Sequence, residues 1–184
     1  LEEETSYVIC DDENSGYLAA CYLMDMGHRE ILFLNGPKGI SSAAERLSGY
    51  RRALRERGIP YNGRLVHTVP VTAGKGTERM RRALAGEQHY TAVLAFSDIL
   101  AWQAVCILEE LGKKVPDDCS VIGFDNIRFT YPRRLTSISS SKTTMARKCA
   151  GILLGQLEGK AGRKEQIVLE TGIVQGDTVR RIGK

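Results

Sequence analysis

The chain has 184 residues, 42% of them hydrophobic and 26% charged, which is typical of globular domains that bury at least one full core. Charged residues interrupt each apolar run well before the ~18 to 20 residues that a membrane span requires, and the acidic N-terminus lacks the cationic start of a secretory signal. The formal net charge is +4, and the basic residues are spread over several predicted helices and a tail rather than gathered on one face. This distribution gives little support for direct contact with nucleic acid. These features exclude a membrane-spanning protein.

Five cysteines are scattered along the sequence, with no Cys-x-x-Cys pair and no histidine at metal-ligand spacing. They are Cys10, Cys21, Cys106, Cys119 and Cys149. Because free cysteine is among the most buried residue types, we expect buried thiols in a reducing environment rather than disulfides or a metal site. The predicted location is therefore cytoplasmic, with no metal and no cofactor.

The first part of the chain alternates short apolar runs with helical periodicity. Strands are predicted at residues 7–10 and 31–34, and helices at residues 15–26 and 43–57. Ser42 followed three residues later by Glu45 predicts a capping box at the start of the second helix.

The same alternation continues through the middle of the chain, with strands at 65–71, 92–96 and 120–124 and helices at 76–84 and 99–111. Single strands separated by helices of ~10 to 15 residues are typical of parallel βαβ crossovers, so we predict an α/β fold with a Rossmann-like parallel sheet. The last part departs from this order, with a strand at 135–138, a helix at 144–157 and strands at 167–171 and 173–175. It resembles a chain that leaves one sheet to join another.

Ligands of open parallel sheets bind beyond the carboxyl ends of the strands, where loops and helix N-termini converge. The segments at these ends are 36–46, 71–74, 97–98 and 125–126. Arg46 can donate a forked pair of hydrogen bonds, and Asp125 can accept from two hydroxyls or an amine, so together they suit a small polar ligand such as a sugar or a nucleobase. A surface ion pair for Arg46 and an N-cap or Asx turn for Asp125 are the alternatives.

Enzyme signatures are missing from the sequence. No phosphate-binding loop, dinucleotide-binding glycine motif or nucleophile elbow is present. His28, His67 and His89 are isolated and lie away from the predicted strand ends, so we expect them to be structural or solvent-facing. The further alternative, an α/β enzyme such as a sugar kinase or isomerase, is disfavoured because the sequence contains no matching catalytic site. No catalytic residue is predicted.

The helix predicted at 99–111 carries Ile99, Trp102 and Cys106 toward one edge of its apolar stripe. A large apolar group in such a position often belongs to an interface. The alternative is that Trp102 covers the edge of the sheet within its own chain.

Several motifs in the same order resemble the effector-binding core of the lactose and purine repressor family of bacterial transcription regulators. They are MGHREILFLNGP, AERLSGYRRALRERGI, AVLAFSDILAWQAVCILEELGKKVPDDCSVIGFDNI and LTSI. The resemblance implies two Rossmann-like subdomains similar to periplasmic binding proteins, one complete here and one partial. Residues 29–137 would form the C-terminal effector-binding and dimerisation subdomain, 1–28 a remnant of the N-terminal subdomain and crossover, and 138–184 the returning crossover helix and final strands.

The resemblance also implies a set of ligand-binding residues, namely Arg46 and Asp125, which the strand-end rule had reached, with Ser42, Ile40, Val71 and Ser97. Two features depart from the family pattern. Val71 stands where an aromatic ring is common, and SISSSK (residues 137–142) replaces the usual Gln-Pro at the crossover.

Members of the family dimerise through the C-terminal subdomain, which implies an interface containing Ile99, Trp102, Phe129 and Tyr131. They contact DNA through a helix-turn-helix domain that is absent from this chain. We therefore expect the effector-binding and dimerisation part of a cytoplasmic repressor, a homodimer that responds to a sugar or nucleobase. The alternative is a periplasmic solute-binding protein of a sugar ABC transporter.

Overall fold

The computed structural model describes residues 5–70, 75–128, 132–159 and 164–183. Within these ranges, eight strands lie at β1 Tyr7–Cys10, β2 Ile31–Asn35, β3 Val66–Thr68, β4 Ala92–Ala95, β5 Ser120–Phe124, β6 Thr136–Ser139, β7 Gln166–Leu169 and β8 Gly172–Val174. The same described residues form five α-helices, at α1 Asp12–Asp25, α2 Ser41–Glu56, α3 Lys75–Leu84, α4 Asp98–Glu110 and α5 Lys142–Leu157. The predicted order of elements is confirmed.

A six-stranded sheet in the order β3-β2-β4-β5-β6-β8 forms the centre of the molecule. Its first five strands are parallel, and β8 is antiparallel to β6. Alternate residues of β2 point to opposite faces, so that Leu32 and Leu34 join a core with α3 and α4, while Ile31 and Phe33 join a core with α1 and α2. Helices on both faces of a parallel sheet confirm the predicted α/β class.

A second, two-stranded sheet pairs β1 with β7 in parallel, from Tyr7 opposite Gln166 to Cys10 opposite Leu169. Helix α5 packs beside β1. None of its residues is buried, and Leu153, Leu154 and Leu157 are more than half exposed.

The predicted domain boundaries at residues 28 and 137 stay a prediction. The large sheet and the helices that pack on it, called the large unit, include residues on both sides of these positions. Helix α1 packs against α2 of the large unit, and β8 with the C-terminal segment returns to the large sheet. In that segment Thr178 is fully buried, donates to the Val121 carbonyl oxygen at 2.7 Å and accepts from the Thr136 amide at 3.0 Å. The large unit is therefore assembled from two separate parts of the chain, residues 12–139 and 172–183.

Helices α1 and α2 approach each other closely because glycines lie at their crossing. A Cβ at Gly49 would lie 1.9 Å from the Glu13 carbonyl oxygen, and one at Gly16 would lie 2.2 Å from the Arg46 carbonyl oxygen. Only glycine permits this approach, which brings the first turn of α1 next to Arg46.

Helix α2 corrects the predicted capping box. The helix begins at Ser41, its N-cap is Ile40, and no side chain caps it. Ser42 therefore lies inside the helix, and Arg46 lies in its second turn. Helix α1 also begins earlier than predicted, because the Asp11 carboxylate accepts from the Asn14 amide and caps it.

Strand β3 starts one residue later than predicted because a 3₁₀ turn at Gly63–Leu65, capped by Asn62, takes up its predicted start, and it ends earlier than predicted, at Thr68. Residues 71–74, its predicted end and the loop that follows, lie outside the described part of the chain.

The cysteines are free, but their predicted burial holds only for Cys119. Burial raises the pKa of its thiol to about 12. Cys149 is exposed, and the other three are partly buried. Within the described residues, no helix is both long and apolar enough to cross a membrane.

Candidate functional site

Arg46 is held at the carboxyl ends of β4 and β5, with a side chain only 11% exposed. Its Nε donates to Asp12 Oδ1 at 2.7 Å, and Nη2 lies 2.6 Å from the same oxygen. Its Nη1 donates to the carbonyl oxygen of Phe96, the residue after β4. A guanidinium carries two N–H groups on each terminal nitrogen, so one on each remains for a ligand.

Two aromatic rings fix the plane of this guanidinium. The Arg46 Cζ lies 4.9 Å from the ring centroid of Phe96 and 4.3 Å from that of Phe124. Contacts of this kind stabilise a desolvated cation. The alternative predicted for Arg46, an ion pair at the surface, is therefore only partly realised, since the pair with Asp12 exists but is largely buried.

Asp12 is the residue of this site that sequence reasoning missed. It stands in the first turn of α1, two residues after β1 ends. The strand-end rule applied to β1 would have selected it, but β1 belongs to the small sheet, and the sequence gives no sign that its end meets those of the large one. The site therefore joins the carboxyl end of a small-sheet strand to those of two large-sheet strands.

Asp125 directly follows Phe124, the last residue of β5. Its φ of +97° and the +48° of Asn126 are both left-handed, which Asp and Asn tolerate better than other non-glycine residues. The side chain forms none of the predicted cap or turn hydrogen bonds, and no donor among the described residues reaches its carboxylate. Burial raises the pKa of this carboxyl and Asp12 acts in the same direction, whereas Arg46 lowers it.

The remaining predicted ligand residues lie around the same strand ends. The Ser97 Oγ accepts from the Leu100 amide at 3.3 Å and caps α4. Ile40 precedes α2 and is 39% exposed, and Ser42 is partly buried in its first turn. Val71 lies outside the described residues. Ligand binding by all of these residues stays a prediction.

The three histidines have different surroundings. His28 is fully buried, and its ring nitrogens bond Thr91 Oγ1 and the Arg180 carbonyl oxygen, while His89 is exposed and contacts Glu30. The Nε2 of His67 is buried without a hydrogen-bond partner among the described residues. Within those same residues, no cluster of His, Cys, Asp or Glu side chains could hold a metal ion.

The described residues that were predicted at a dimer interface differ in their exposure to solvent. Trp102 is only 6% exposed and belongs to the core. This burial agrees with the alternative in which Trp102 packs within its own chain. Ile99, one turn earlier on α4, is 51% exposed. Phe129 and Tyr131 lie outside the described residues. Ile99 thus lies on an exposed face of α4, and the dimer interface itself stays a prediction.

Among the described residues, a largely buried arginine and a carboxylate without a hydrogen-bond donor thus lie at the carboxyl ends of strands in a two-sheet α/β fold. The sequence matches the family described as periplasmic binding protein-like domain over residues 20–179. The chain belongs to this family, and its predicted resemblance to the lactose and purine repressor type of regulator is confirmed.

Similar proteins in this group are transcriptional regulators. The regulator CelR of Thermobifida fusca is 33% identical over 94% of this chain, and the repressor PurR of Mannheimia succiniciproducens is 32% identical over 99% of it. These matches cover 52% and 55% of the two relatives, so the chain spans about half the length of the curated relatives it matches.

The similar solved structures are also those of transcriptional regulators. A CelR–cellobiose complex has a TM-score of 0.87 and 32% identity, over 97% of this chain and 55% of the other. A regulator from Enterococcus faecium with bound ribose has a TM-score of 0.85 and 27% identity, over 100% of this chain and 68% of the other. The similar proteins are regulators, which favours the regulator over the transport alternative.

Proposed function

We propose that this chain is the effector-binding and dimerisation part of a cytoplasmic transcriptional repressor that responds to a sugar or a nucleobase, without catalysis. The observation that carries the proposal is that a largely buried Arg46 and a half-buried Asp125, whose carboxylate accepts from no donor among the described residues, both lie at the carboxyl ends of strands. Together they offer N–H donors and carboxylate acceptors to one small polar ligand. The ligands named for the similar structures, cellobiose and ribose, have this chemistry.

The position of Asp12 supports a mechanism for the response. Asp12 follows β1 of the small sheet, whereas Arg46 and Asp125 belong to the large unit. A ligand that binds beside the Asp12–Arg46 pair contacts the junction between the two sheets. Such a ligand changes the arrangement of the sheets only if its affinity differs between two arrangements, and that difference would alter affinity for DNA.

Calorimetric titration of the whole natural protein with D-ribose, cellobiose, adenine and guanine tests the proposal. We expect one of these compounds to bind, and Arg46→Ala and Asp125→Asn each to weaken that binding roughly ten- to hundredfold, since hydrogen bonds to charged groups contribute about 1.5–3 kcal/mol. Arg55→Ala, an exposed arginine on the same helix, is the matched control and should bind like the natural protein.

Two outcomes would overturn the proposal. One is natural affinity in both site variants, which would put the ligand elsewhere. The other is hydrolysis of bound cellobiose during the titration, which would identify an enzyme.

A further inference from the structure

The turn at residues 125–127 carries Asp125, and its backbone is fixed by side chains from two other elements. The Asn126 amide donates to Ser137 Oγ at 3.0 Å, and the Ile127 amide donates to Asp98 Oδ2 at 2.7 Å. Ser137 belongs to β6, and Asp98 is the first residue of α4. The two amides that follow Asp125 are thus both bound by side chains distant in sequence.

These two side chains also bind each other. The Ser137 hydroxyl donates to Asp98 Oδ1 at 2.7 Å, and both residues are fully buried. Ser137 Oγ therefore accepts from the turn while donating to Asp98, and each Asp98 oxygen accepts one bond. Gly123 leaves the space for this arrangement, since a Cβ there would lie 2.4 Å from Asp98 Oδ1.

The crossover segment that leaves the large sheet completes the contacts. The Ser139 Oγ lies 3.4 Å from the Asp125 carbonyl oxygen and 3.0 Å from that of Ser140, either of which can accept its proton, and the Lys142 Nζ donates to the Asn126 carbonyl oxygen at 3.1 Å. Ser137, Ser139 and Lys142 all belong to SISSSK, the segment in which the sequence departs from the family pattern.

The conformation of the turn explains why it needs these bonds. Two successive non-glycine residues with positive φ cost free energy and persist only when their surroundings hold them. We propose that Asp98, Ser137 and Lys142 are positioning residues that hold the turn 125–127 in its left-handed conformation and so direct the Asp125 carboxylate at the ligand. The inference rests on the proposed function only for the role of Asp125.

Hydrogen exchange of the Asn126 and Ile127 amides, measured by NMR on the whole natural protein, tests the contacts without any ligand. Replacing Ser137 by alanine leaves a buried donor without its acceptor, so in Ser137→Ala both amides should exchange roughly ten- to hundredfold faster. Exchange in β4, at Val93 and Leu94, reports any loss of global stability and should change much less.

Two further variants keep the test decisive. Ser141→Ala is the matched control, because Ser141 belongs to the same segment but caps α5, and it should leave both amides unchanged. Lys142→Met alters only an exposed side chain, so it folds even if Ser137→Ala does not, and it should speed exchange of the same amides roughly two- to tenfold.

Titration of the same variants with D-ribose, cellobiose, adenine and guanine tests the positioning role. Ser137→Ala should weaken whichever compound binds the natural protein by about tenfold or more, and Ser141→Ala should not. Natural exchange at Asn126 and Ile127 in both Ser137→Ala and Lys142→Met would overturn the proposal, as would faster exchange with unchanged affinity. Failure of all four compounds to bind the natural protein counts instead against the proposed function, and the exchange result then decides whether these residues hold the turn.

Discussion

Asp98 is fully buried, and its burial disfavours the charged form of its carboxyl group. Burial raises its pKa to about 6, although hydrogen bonds from Ser137 and the Ile127 amide act in the other direction. In the unfolded chain an aspartate titrates near pH 4, so between about pH 4 and 6 the folded protein holds a proton that the unfolded chain releases. The contribution of Asp98 to the free energy of unfolding therefore falls as the pH rises through this window.

Asp98→Asn tests this sign directly, because asparagine is neutral at every pH. Relative to the natural protein, the variant should gain up to about 3 kcal/mol in free energy of unfolding as the pH rises from 4 to 7. Urea denaturation at several pH values provides the measurement. If the difference in free energy of unfolding between the two proteins stays constant over this pH range, the pKa of Asp98 is not raised by folding.

Among single residues, the sequence predicted ligand binding by Arg46 and Asp125 but not the supporting roles of the residues around them. Both follow strand ends of the large sheet, which local patterns locate well. Asp12 and Asp98 also follow strand ends, but their roles and that of Ser137 could not be predicted, because each of the three binds a partner about 30 or more positions away. Only the packing of the whole sheet brings these partners together.

The crossing of α1 and α2 determines where the Asp12–Arg46 pair stands. A methyl group at Gly49 would overlap the Glu13 carbonyl oxygen, so Gly49→Ala should separate the two helices. We expect a loss of about 1–3 kcal/mol in the free energy of unfolding, the usual result of overpacking. Chemical denaturation followed by circular dichroism measures it.

Gly155→Ala is the control for this substitution. Gly155 lies in α5, and nothing within 4 Å would meet its Cβ. Because alanine is the better helix former, the control should gain about 0.5–1 kcal/mol. Equal effects of the two substitutions would contradict the close approach at Gly49.

At the element scale, strand and helix order could be predicted, but some boundaries could not. Ser120–Phe124 has the predicted bounds because its apolar run is short and ends at polar residues. Helix α2 starts earlier than Ser42 because backbone geometry at Ile40, rather than a side-chain cap, begins it. Capping depends on side-chain orientation, which sequence spacing does not determine.

At the scale of the whole molecule, the predicted α/β class holds, but the chain is shared between the two sheets in an unexpected way. Strand β8 and Thr178 return to the large sheet, although they follow β7 of the small one. A period-2 pattern identifies a strand but not the sheet it joins. The crossover could therefore be predicted, and the return could not.

The proposed dimer depends on the exposed face of α4. Ile99 is 51% exposed, and a charge there would oppose its burial between two copies of the chain. Ile99→Glu should raise the dissociation constant of the dimer at least about tenfold, as measured by sedimentation of the whole natural protein. Tyr61→Glu, at an exposed aromatic residue after α2, should leave it unchanged. A dimer of natural affinity in Ile99→Glu would remove this face from the interface.

Effector binding is proposed to join Arg46 and Asp125 through one small molecule beside the junction of the two sheets. A crystal structure of the whole natural protein, grown with whichever sugar or nucleobase binds in the titration, tests it most directly. We predict that an Arg46 terminal N–H and an Asp125 carboxylate oxygen both lie within about 3.2 Å of ligand atoms. A ligand bound with neither residue in contact would contradict the account.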